Sequence, residues 1–266
     1  AVTTAPPVPE ENPELVVYFL KNGTLLPVAR DLRVLNVNPL PDLGPLAVDL
    51  LLWGPGAWDA GPLPDAVAAA EAQLTTAIPE GTELRGLTIE DGVATVDLSA
   101  EFAAASPQAI AQVVYTLTGL EGVREAGFVI DGDPQVIGSL TSGLYTPYLE
   151  PAATGAGMPS VGREFLSMYQ SDVMIEHPAL GGTLRAGEAV AIVGRLDTAE
   201  VTLTLTATDG TLLWSALAAP DDPAYLPPEV LDAVGGHAAW ATLRAEATAS
   251  DGSVLDPSEI PVWLEP

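Results

Sequence analysis

The stretch LRGLTIEDGVATVDLSAEFAAASPQAIAQVVYTLTGLEGVREAGFVID, from Leu84 to Asp131, decides the fold of this chain. It opens with two β-rich runs on either side of the pair Asp91-Gly92. Asp-Gly favours a tight hairpin because both turn residues can adopt a positive φ at low cost. Apolar and polar residues alternate along both runs, which predicts a sheet with one buried face and one polar face. The apolar set is Leu87, Ile89, Val93 or Ala94, Val96 and Leu98, and the polar set is Thr88, Glu90, Thr95 and Asp97.

A helix and a returning strand follow the hairpin. Ser106 is placed to cap the helix and Pro107 to occupy its first position, where the missing N–H costs nothing. The helix is predicted to end near Gly119, and VREAGFVID then reads as a strand closed by an Asp131-Gly132 turn. The predicted buried side of the helix consists of Ile110, Val113, Val114 and Leu117.

The residues before this stretch repeat the same order of elements. Asn22-Gly23 predicts a hairpin between strands near Leu15 to Leu20 and Leu25 to Arg33. In the helix PLAVDLLLWGP, the spacing of Leu46, Leu50 and Trp53 places them on one face, and Gly54-Pro55 ends it. A second, alanine-rich helix, DAVAAAEAQL, comes next. Two ββα units in succession predict an α+β domain of two layers.

The last hundred residues have a different pattern. Short β-rich runs such as EVTLTLTA alternate Thr with Val or Leu and are separated by turn signals at Asp209-Gly210 and Asp251-Gly252. Strands at this frequency predict an all-β sandwich of immunoglobulin-like kind. The predicted organisation is a disordered spacer over residues 1–14, an α+β domain over 15–150, a linker over 151–164 and a β-sandwich domain over 165–266.

The charge balance limits the classes of partner. The chain has 36 acidic and nine basic residues, a formal net charge of −27 and no cysteine. Nucleic-acid binding requires clusters of Lys and Arg that neutralise phosphates. We therefore expect neither nucleic acid nor an anionic lipid surface as a partner, and no disulfide or thiolate metal site. The acidic excess is explained either by solubility or by attraction of a cationic partner.

No catalytic constellation is recognisable. His177 and His237 are the only histidines, and the nucleophile motif G-x-S-x-G is absent. The Asp clusters, including Asp131, Asp133, Asp221 and Asp222, lack the EF-hand pattern, so turn formation explains them better than calcium binding. We therefore predict no catalytic residue, no cofactor-binding residue and no metal ligand, while paired carboxylates and a weak calcium site stay open.

Tryptophans supply the candidate contact residues. Trp58 stands in a loop between glycines and is predicted as a tentative partner contact; the alternative is that it folds back over a helix end. A second hypothesis has Trp58, Trp214 or Trp240 stacking on sugars, although the last two fall within β-runs and are core residues by default.

These motifs carry a family resemblance. The order VVYF, hairpin, LLWGP, AIPEGTEL, DGVATVDLSAEF and AQVVYTLTGLEGVREAGFVIDG, over about residues 15 to 132, resembles the GerMN domain, the sporulation and spore germination module of exported bacterial proteins and lipoproteins. The segment VMIEHPALGGTLRAGEAVAIVGRLDTAEVTLTL, the TDGTLLW hairpin and ATASDGSVLDPSEIPVWL are similar to the immunoglobulin-like domain that often follows GerMN.

The resemblance implies a role without catalysis. It predicts an extracytoplasmic protein at the cell surface, with envelope proteins or wall components as partners and no cofactor, serving envelope assembly or germination. The opening AVTTAPPVPEENPE resembles the spacer after the anchor site of exported lipoproteins, which predicts a lipid anchor before Ala1 as the only membrane attachment; the alternative is a plain disordered end. The alternative function is a wall-polymer (carbohydrate) binding module or a wall-active hydrolase. The oligomeric state is not predicted.

Overall fold

The structure is a computed structural model that describes residues 14–32, 42–56, 64–139, 146–153, 157–194, 201–219, 222–249 and 251–265. The helices in these ranges are α1 (Leu43–Trp53), α2 (Asp65–Glu71), α3 (Pro107–Leu117) and α4 (Glu229–Ala233). The strands are β1 (Glu14–Lys21), β2 (Thr24–Asp31), β3 (Leu84–Glu90), β4 (Val93–Leu98), β5 (Glu125–Ile130), β6 (Asp133–Ser139), β7 (Pro147–Pro151), β8 (Ser160–Val161), β9 (Met174–His177), β10 (Thr183–Arg185), β11 (Ala189–Val193), β12 (Val201–Ala207), β13 (Leu212–Ala218), β14 (Ala224–Tyr225), β15 (Ala239–Ala247) and β16 (Ser258–Glu265).

The stretch from Leu84 to Asp131 forms the centre of a six-stranded sheet. Its strands lie in the order β3-β4-β5-β6-β7, with β8 paired to β5. Strands β4 and β5 are parallel because α3 carries the chain back across the sheet, and the other pairs are antiparallel. The predicted turn at Asp91-Gly92 is confirmed, with φ values of 53° and 83°. The fold class is α+β, as the sequence predicted.

Helix α3 begins as predicted. The Ser106 hydroxyl accepts a hydrogen bond from the Ala109 N–H at 3.2 Å, and Pro107 is the first helical residue. The predicted buried side is confirmed, but burial extends all around the helix, from Ala109 to Leu117. The helix is surrounded because it packs against β5, against β1 and against α1.

Residues on the predicted apolar faces are buried in the middle of the sheet and helix, but exposed at the sheet edge and at the helix end. Ala94, Val96 and Leu98 on β4 are fully buried, whereas Ile89 on the edge strand β3 is 46% exposed. Similarly, Leu50 in α1 is buried, but Trp53, which the spacing assigned to the same face, is 58% exposed. Trp53 is the last residue of the helix, and Gly54 with a φ of 87° turns the chain away from the core.

The ribbon formed by β1 and β2 is almost entirely buried and has two open edges that need partners. On the β1 side, the Tyr18 N–H donates to the Thr116 hydroxyl at 3.1 Å, and the Tyr18 carbonyl accepts from the Gln112 amide at 3.0 Å. Farther along, Leu20 and Thr75 exchange two backbone hydrogen bonds. Helix α3 thus satisfies a strand edge with polar side chains, which explains why Gln112 and Thr116 are fully buried.

The second half of the chain is β-rich. One sheet has the order β10-β16-β15-β12-β13, and a smaller one has the order β14-β11-β9. Along β12 and β15, buried residues alternate with more exposed ones, as predicted for half-buried strands. The buried set includes Val201, Leu203, Leu205, Leu243, Ala245 and Ile260.

A short segment before β10 joins the two halves. The Leu180 N–H donates to the Pro27 carbonyl at 3.0 Å, and the Leu180 carbonyl accepts from the Ala29 N–H at 2.9 Å. On its other side, the Gly181 N–H donates to the Pro261 carbonyl, and the Gly182 carbonyl accepts from the Trp263 N–H. The open edge of β2 is therefore connected to β16, and a single cluster of buried residues runs through both halves.

Part of the predicted linker is ordered against the sheet. Within residues 151–164, Ser160 and Val161 pair with β5, and a 3₁₀ helix begins at Arg163. The domain boundaries drawn from the sequence stay predictions. No helix in the described ranges is long and apolar enough to cross a membrane.

Substitution of Gln112 tests the satisfied edge of β1. The Gln112 side-chain oxygen also accepts from the Ala77 N–H at 2.7 Å, so Gln112→Ala leaves the Tyr18 carbonyl and the Ala77 N–H without partners. We expect a loss of about 2–4 kcal/mol in the free energy of unfolding, measured by urea denaturation. Gln73→Ala, at an exposed helix end, is the matched control and should change stability by less than about 0.5 kcal/mol. Equal losses in the two variants would contradict this account.

Candidate functional site

Of the three tryptophans singled out from the sequence, the structure describes Trp214 and Trp240, both partly buried. Trp58, the tentative partner contact, lies outside the described residues. Trp240 packs against Trp263 across β15 and β16, with ring centroids 5.2 Å apart and planes tilted by 55°. Both rings are partly buried. This geometry is that of a packed aromatic pair and differs from a flat, exposed platform for a sugar ring.

The other candidates from the sequence are the two histidines and the aspartates of the turns. His177 is about half exposed, with its Nε2 3.9 Å from the Glu188 carboxylate, and His237 is exposed in a loop. Asp209 and Asp251 accept hydrogen bonds from the Thr211 and Ser253 N–H groups, both at 2.9 Å. The Ser253 hydroxyl, which donates to Asp251 at 2.7 Å, and its N–H hold the pKa of the Asp251 carboxyl below its usual value. The hydrogen bonds from Thr211 lower the pKa of Asp209 in the same way. Within the described ranges, no group of three or more His, Asp or Glu side chains converges at a possible metal site.

A half-buried polar cluster lies at the junction of the two halves, centred on Arg163. Its guanidinium pairs with the Glu176 carboxylate, donates to the Thr118 hydroxyl at 2.7 Å and donates to the Tyr115 carbonyl at 2.9 Å. Every part of the guanidinium is thus engaged by α3, by the residue after it, or by β9. The cluster joins the helix that covers the first sheet to a strand of the second half.

Two tyrosine rings enclose this cation. The Arg163 guanidinium carbon lies 5.2 Å from the Tyr18 ring centroid and 5.0 Å from that of Tyr115, within the range of cation–π attraction. The Tyr18 hydroxyl donates to Glu176 at 2.8 Å. Burial raises the pKa of both phenols well above the usual value of about 10; the nearby Arg163 opposes this shift and Glu176 reinforces it. Both phenols therefore stay protonated in the folded protein at neutral pH.

Two clefts open at the same junction. One, of about 360 Å³, lies beside the Arg163 cluster and is lined also by Ser167, Gln170 and Val193. The other, of about 180 Å³, lies between the β1–β2 turn, residues 171–173 and the segment before β16. We call the second one the polar cleft; it is lined by Lys21, Asn22, Thr24, Leu25, Leu26, Ser171, Asp172, Val173, Asp256, Pro257, Ser258 and Glu259.

The β1–β2 turn that forms one wall of the polar cleft is rigid. Asn22 and Gly23 have φ values of 53° and 83°, and the Thr24 hydroxyl donates to the Lys21 carbonyl at 3.0 Å. Opposite this wall, Leu25 pairs with Gln170 in a parallel bridge, which holds the 171–173 segment in place. The walls of the cleft are therefore fixed by backbone hydrogen bonds.

Sequence reasoning missed both the Arg163 cluster and the polar cleft. Arg163 fell in the predicted linker, and Glu176 is one acid among 36. The available signal was scarcity: with only nine basic residues, each Arg or Lys is a candidate for a specific contact. The sequence gives no indication, however, of which acid each basic residue meets.

Comparison with known proteins gives a family match for the first half of the chain. Residues 16–136 match the family Germane, described as sporulation and spore germination. The first GerMN domain of the sporulation protein GerM from Bacillus subtilis is similar at 18% identity, over 57% of this chain and 98% of that one, with a TM-score of 0.35. The tandem GerMN domains of the same protein match at 15% identity, over 95% of this chain and 60% of that one, with a TM-score of 0.39.

A third structure resembles a smaller part of the chain. The fibronectin(III)-like modules of CbhA from Clostridium thermocellum match at 26% identity, over 35% of this chain and 94% of theirs, with a TM-score of 0.22. No curated protein sequence matches the chain. Because all three TM-scores lie below 0.5, only the family match supports a functional proposal.

Removal of the central cation tests how the halves are coupled. Arg163→Met leaves the half-buried Glu176 carboxylate without its counter-charge, and we expect a loss of about 2–4 kcal/mol in the free energy of unfolding. Calorimetry should show the main unfolding transition at lower temperature or split in two, as the halves separate. Arg85→Met is the control, because Arg85 is about half exposed and its ion pairs lie at the surface. A melting curve for Arg163→Met like that of Arg85→Met would disprove the coupling.

The enclosed phenols predict alkaline sensitivity. Because the folded-state pKa values of Tyr18 and Tyr115 are raised, the unfolded chain releases protons above about pH 10 that the folded chain retains. Their contribution to the free energy of unfolding is constant below that pH and decreases as the pH rises further. After a jump to alkaline pH, phenolate absorbance should show a fast phase from accessible tyrosines and a slow phase limited by unfolding. In the double variant Tyr18→Phe, Tyr115→Phe, the slow phase should shrink to the share of Tyr169, which is also buried and has a raised pKa; an undiminished slow phase would refute the assignment.

Proposed function

We propose that the protein is a non-catalytic, extracytoplasmic binding or assembly protein of the bacterial cell envelope, because residues 16–136 match the Germane (GerMN) family of sporulation and spore germination. The family match is the observation that carries the proposal. It covers α1, α2, α3 and the strands from β1 to β5, together with their turns.

The second half is proposed to be an immunoglobulin-like sandwich. The two antiparallel-rich sheets and the alternating burial along β12 and β15 support this assignment. Folds of this kind commonly present binding loops at the ends of a rigid sandwich. This half would then serve as a second binding surface or as a spacer.

The junction supports a rigid, scaffold-like role. The Arg163 cluster and the Leu180 segment connect the halves by side-chain and backbone hydrogen bonds, so the two binding surfaces keep a fixed mutual orientation. A fixed orientation favours assembly, because less conformational freedom is lost when the protein docks.

Location is part of the proposal. We place the protein at the cell surface, held by a lipid anchor before Ala1. The net charge of −27 agrees with partners that are neither nucleic acid nor anionic lipid. Its partners are proposed to be envelope proteins or wall components.

The test uses the full chain in two arms. Cell fractionation should find the protein in the envelope and accessible to external protease; recovery in the cytoplasm would disprove the location. In the second arm, the immobilised chain is exposed to solubilised envelope proteins, and free chain is sedimented in parallel with purified wall polymer. We expect specific retention of envelope protein. Retention of wall polymer without any protein would refute the assembly role and favour the wall-polymer binding alternative.

Two tryptophan variants sharpen the capture experiment. If Trp58 contacts the partner, Trp58→Ala should lower retention by about tenfold, as expected of an aromatic anchor at an interface. Trp53→Ala is the matched control, since Trp53 is exposed at the end of α1 in the same half of the chain. Equal retention by the Trp58 variant and the unmodified chain would remove Trp58 from the contact surface.

A further inference from the structure

Lys21 differs from every other basic residue in the described ranges. The six arginines there all meet an acidic side chain or a backbone carbonyl, whereas no hydrogen bond or ion pair links the Lys21 ammonium to any described residue. An unpaired cation is unexpected in a chain with 36 acidic residues. The paired arginines are Arg30 with Glu71, Arg85 with Glu83, Arg124 with the Asp91 carbonyl, Arg163 with Glu176, Arg185 with Glu265, and Arg244 with Glu246.

The position of Lys21 gives this observation a meaning. Lys21 is half-buried, is the only lysine of the chain and lines the polar cleft. Asp172, Asp256 and Glu259 line the same cleft, yet none lies within ion-pair distance of its ammonium. Among described residues, Asp256 likewise has no hydrogen-bond or ion-pair partner. The cleft therefore presents one unpaired cation and at least one unpaired carboxylate to whatever enters it.

This charge arrangement selects a class of ligand. A polyanion would meet three carboxylates beside a single lysine, and like charges in close contact are strongly unfavourable. A purely cationic ligand would leave Lys21 unpaired and would place a second positive charge beside it. A ligand with a carboxylate for Lys21 and an ammonium for Asp256 satisfies both walls through charge-assisted hydrogen bonds.

The volume of the polar cleft further limits the class of ligand that can bind. A volume of about 180 Å³ corresponds to about six water molecules and lies below the roughly 300 Å³ of typical sites for drug-sized ligands. An amino acid or a dipeptide fits this space, whereas a folded domain or a sugar chain does not. The hydroxyl-bearing residues Thr24, Ser171 and Ser258 add polar groups around it.

We propose that the polar cleft binds a small zwitterion, a free amino acid or a free dipeptide, with Lys21 receiving its carboxylate and Asp256 its ammonium. This inference rests on the proposed extracytoplasmic function for its biological source: free amino acids or dipeptides released either from the cell wall, which contains D-amino acids, or from ordinary proteins. Because the cleft lies between the first hairpin and the segment before β16, a bound ligand contacts both halves of the chain.

The experiment titrates the full chain with D-alanyl-D-alanine and, separately, with L-alanyl-L-alanine. Binding is followed by calorimetry and by amide chemical shifts of residues 21–26 and 256–259. We expect saturable shifts at both segments, with a preference for the D form assigning a wall source and a preference for the L form assigning a protein or peptide source. Absence of shifts at both segments for both dipeptides would overturn the proposal.

Variants and modified probes test the two charge contacts. Lys21→Met and Asp256→Asn should each weaken binding by about tenfold or more, the usual effect of losing one charge-assisted hydrogen bond. Arg85→Met, at a distant surface ion pair, should bind as the unmodified chain does. Dipeptide with an acetylated amine or an amidated carboxyl should lose affinity to a similar degree.

Two results would refute the charge-pairing account. One is unchanged affinity of a folded Lys21→Met variant, with folding checked by its melting temperature. The other is binding of inorganic phosphate as tightly as the dipeptide, which would mean that the cleft selects anions alone. Neither result affects cell fractionation or envelope-protein capture, so failure of this inference is distinguishable from failure of the proposed function.

Discussion

The constraint on which the structure depends is hydrogen bonding at the edges of the buried β1–β2 ribbon. A two-stranded ribbon has two rows of unpaired N–H and C=O groups, and burying them without partners costs free energy at every position. Gln112, Thr116 and Thr75 satisfy the β1 edge, and Leu180 satisfies the β2 edge. The position of α3 against the ribbon and the attachment of the second half both follow from this requirement.

The junction combines two kinds of interaction with different consequences. The backbone hydrogen bonds of residues 180–182 extend sheet-like pairing from β2 to β16 and tolerate most side chains. The Arg163 cluster depends on particular side chains, because its cation must meet Glu176, two aromatic rings and the Tyr115 carbonyl together. The backbone hydrogen bonds stabilise the junction between the two halves, while the Arg163 cluster restricts it to one specific geometry. Both the polar cleft and the cleft beside Arg163 exist because this joint brings distant segments together.

Scarcity of basic residues shapes the chemistry of the whole surface. With nine cations for 36 acids, most carboxylates face solvent and keep the molecule highly charged. Those cations that the structure describes are concentrated where they hold segments together, as in the buried pair of Arg30 with Glu71 that joins β2 to α2. The ammonium of Lys21, by contrast, has no partner among the described residues and is available to a ligand.

The sequence by itself determined the local elements: Asp91-Gly92 and Asn22-Gly23 set the hairpins, Ser106-Pro107 set the start of α3, and the order of these motifs indicated the family. These signals are local, since turn and cap conformations depend on a few neighbouring residues. Tertiary structure alone decided that Gln112 would serve a strand edge, that Arg163 would meet Glu176 and that Lys21 would have no partner among the described residues. The contacts of Glu176 show the range of separation: Arg163 lies 13 positions away from it along the chain and Tyr18 lies 158 positions away. No pattern within a short window specifies which distant partner a polar side chain will face.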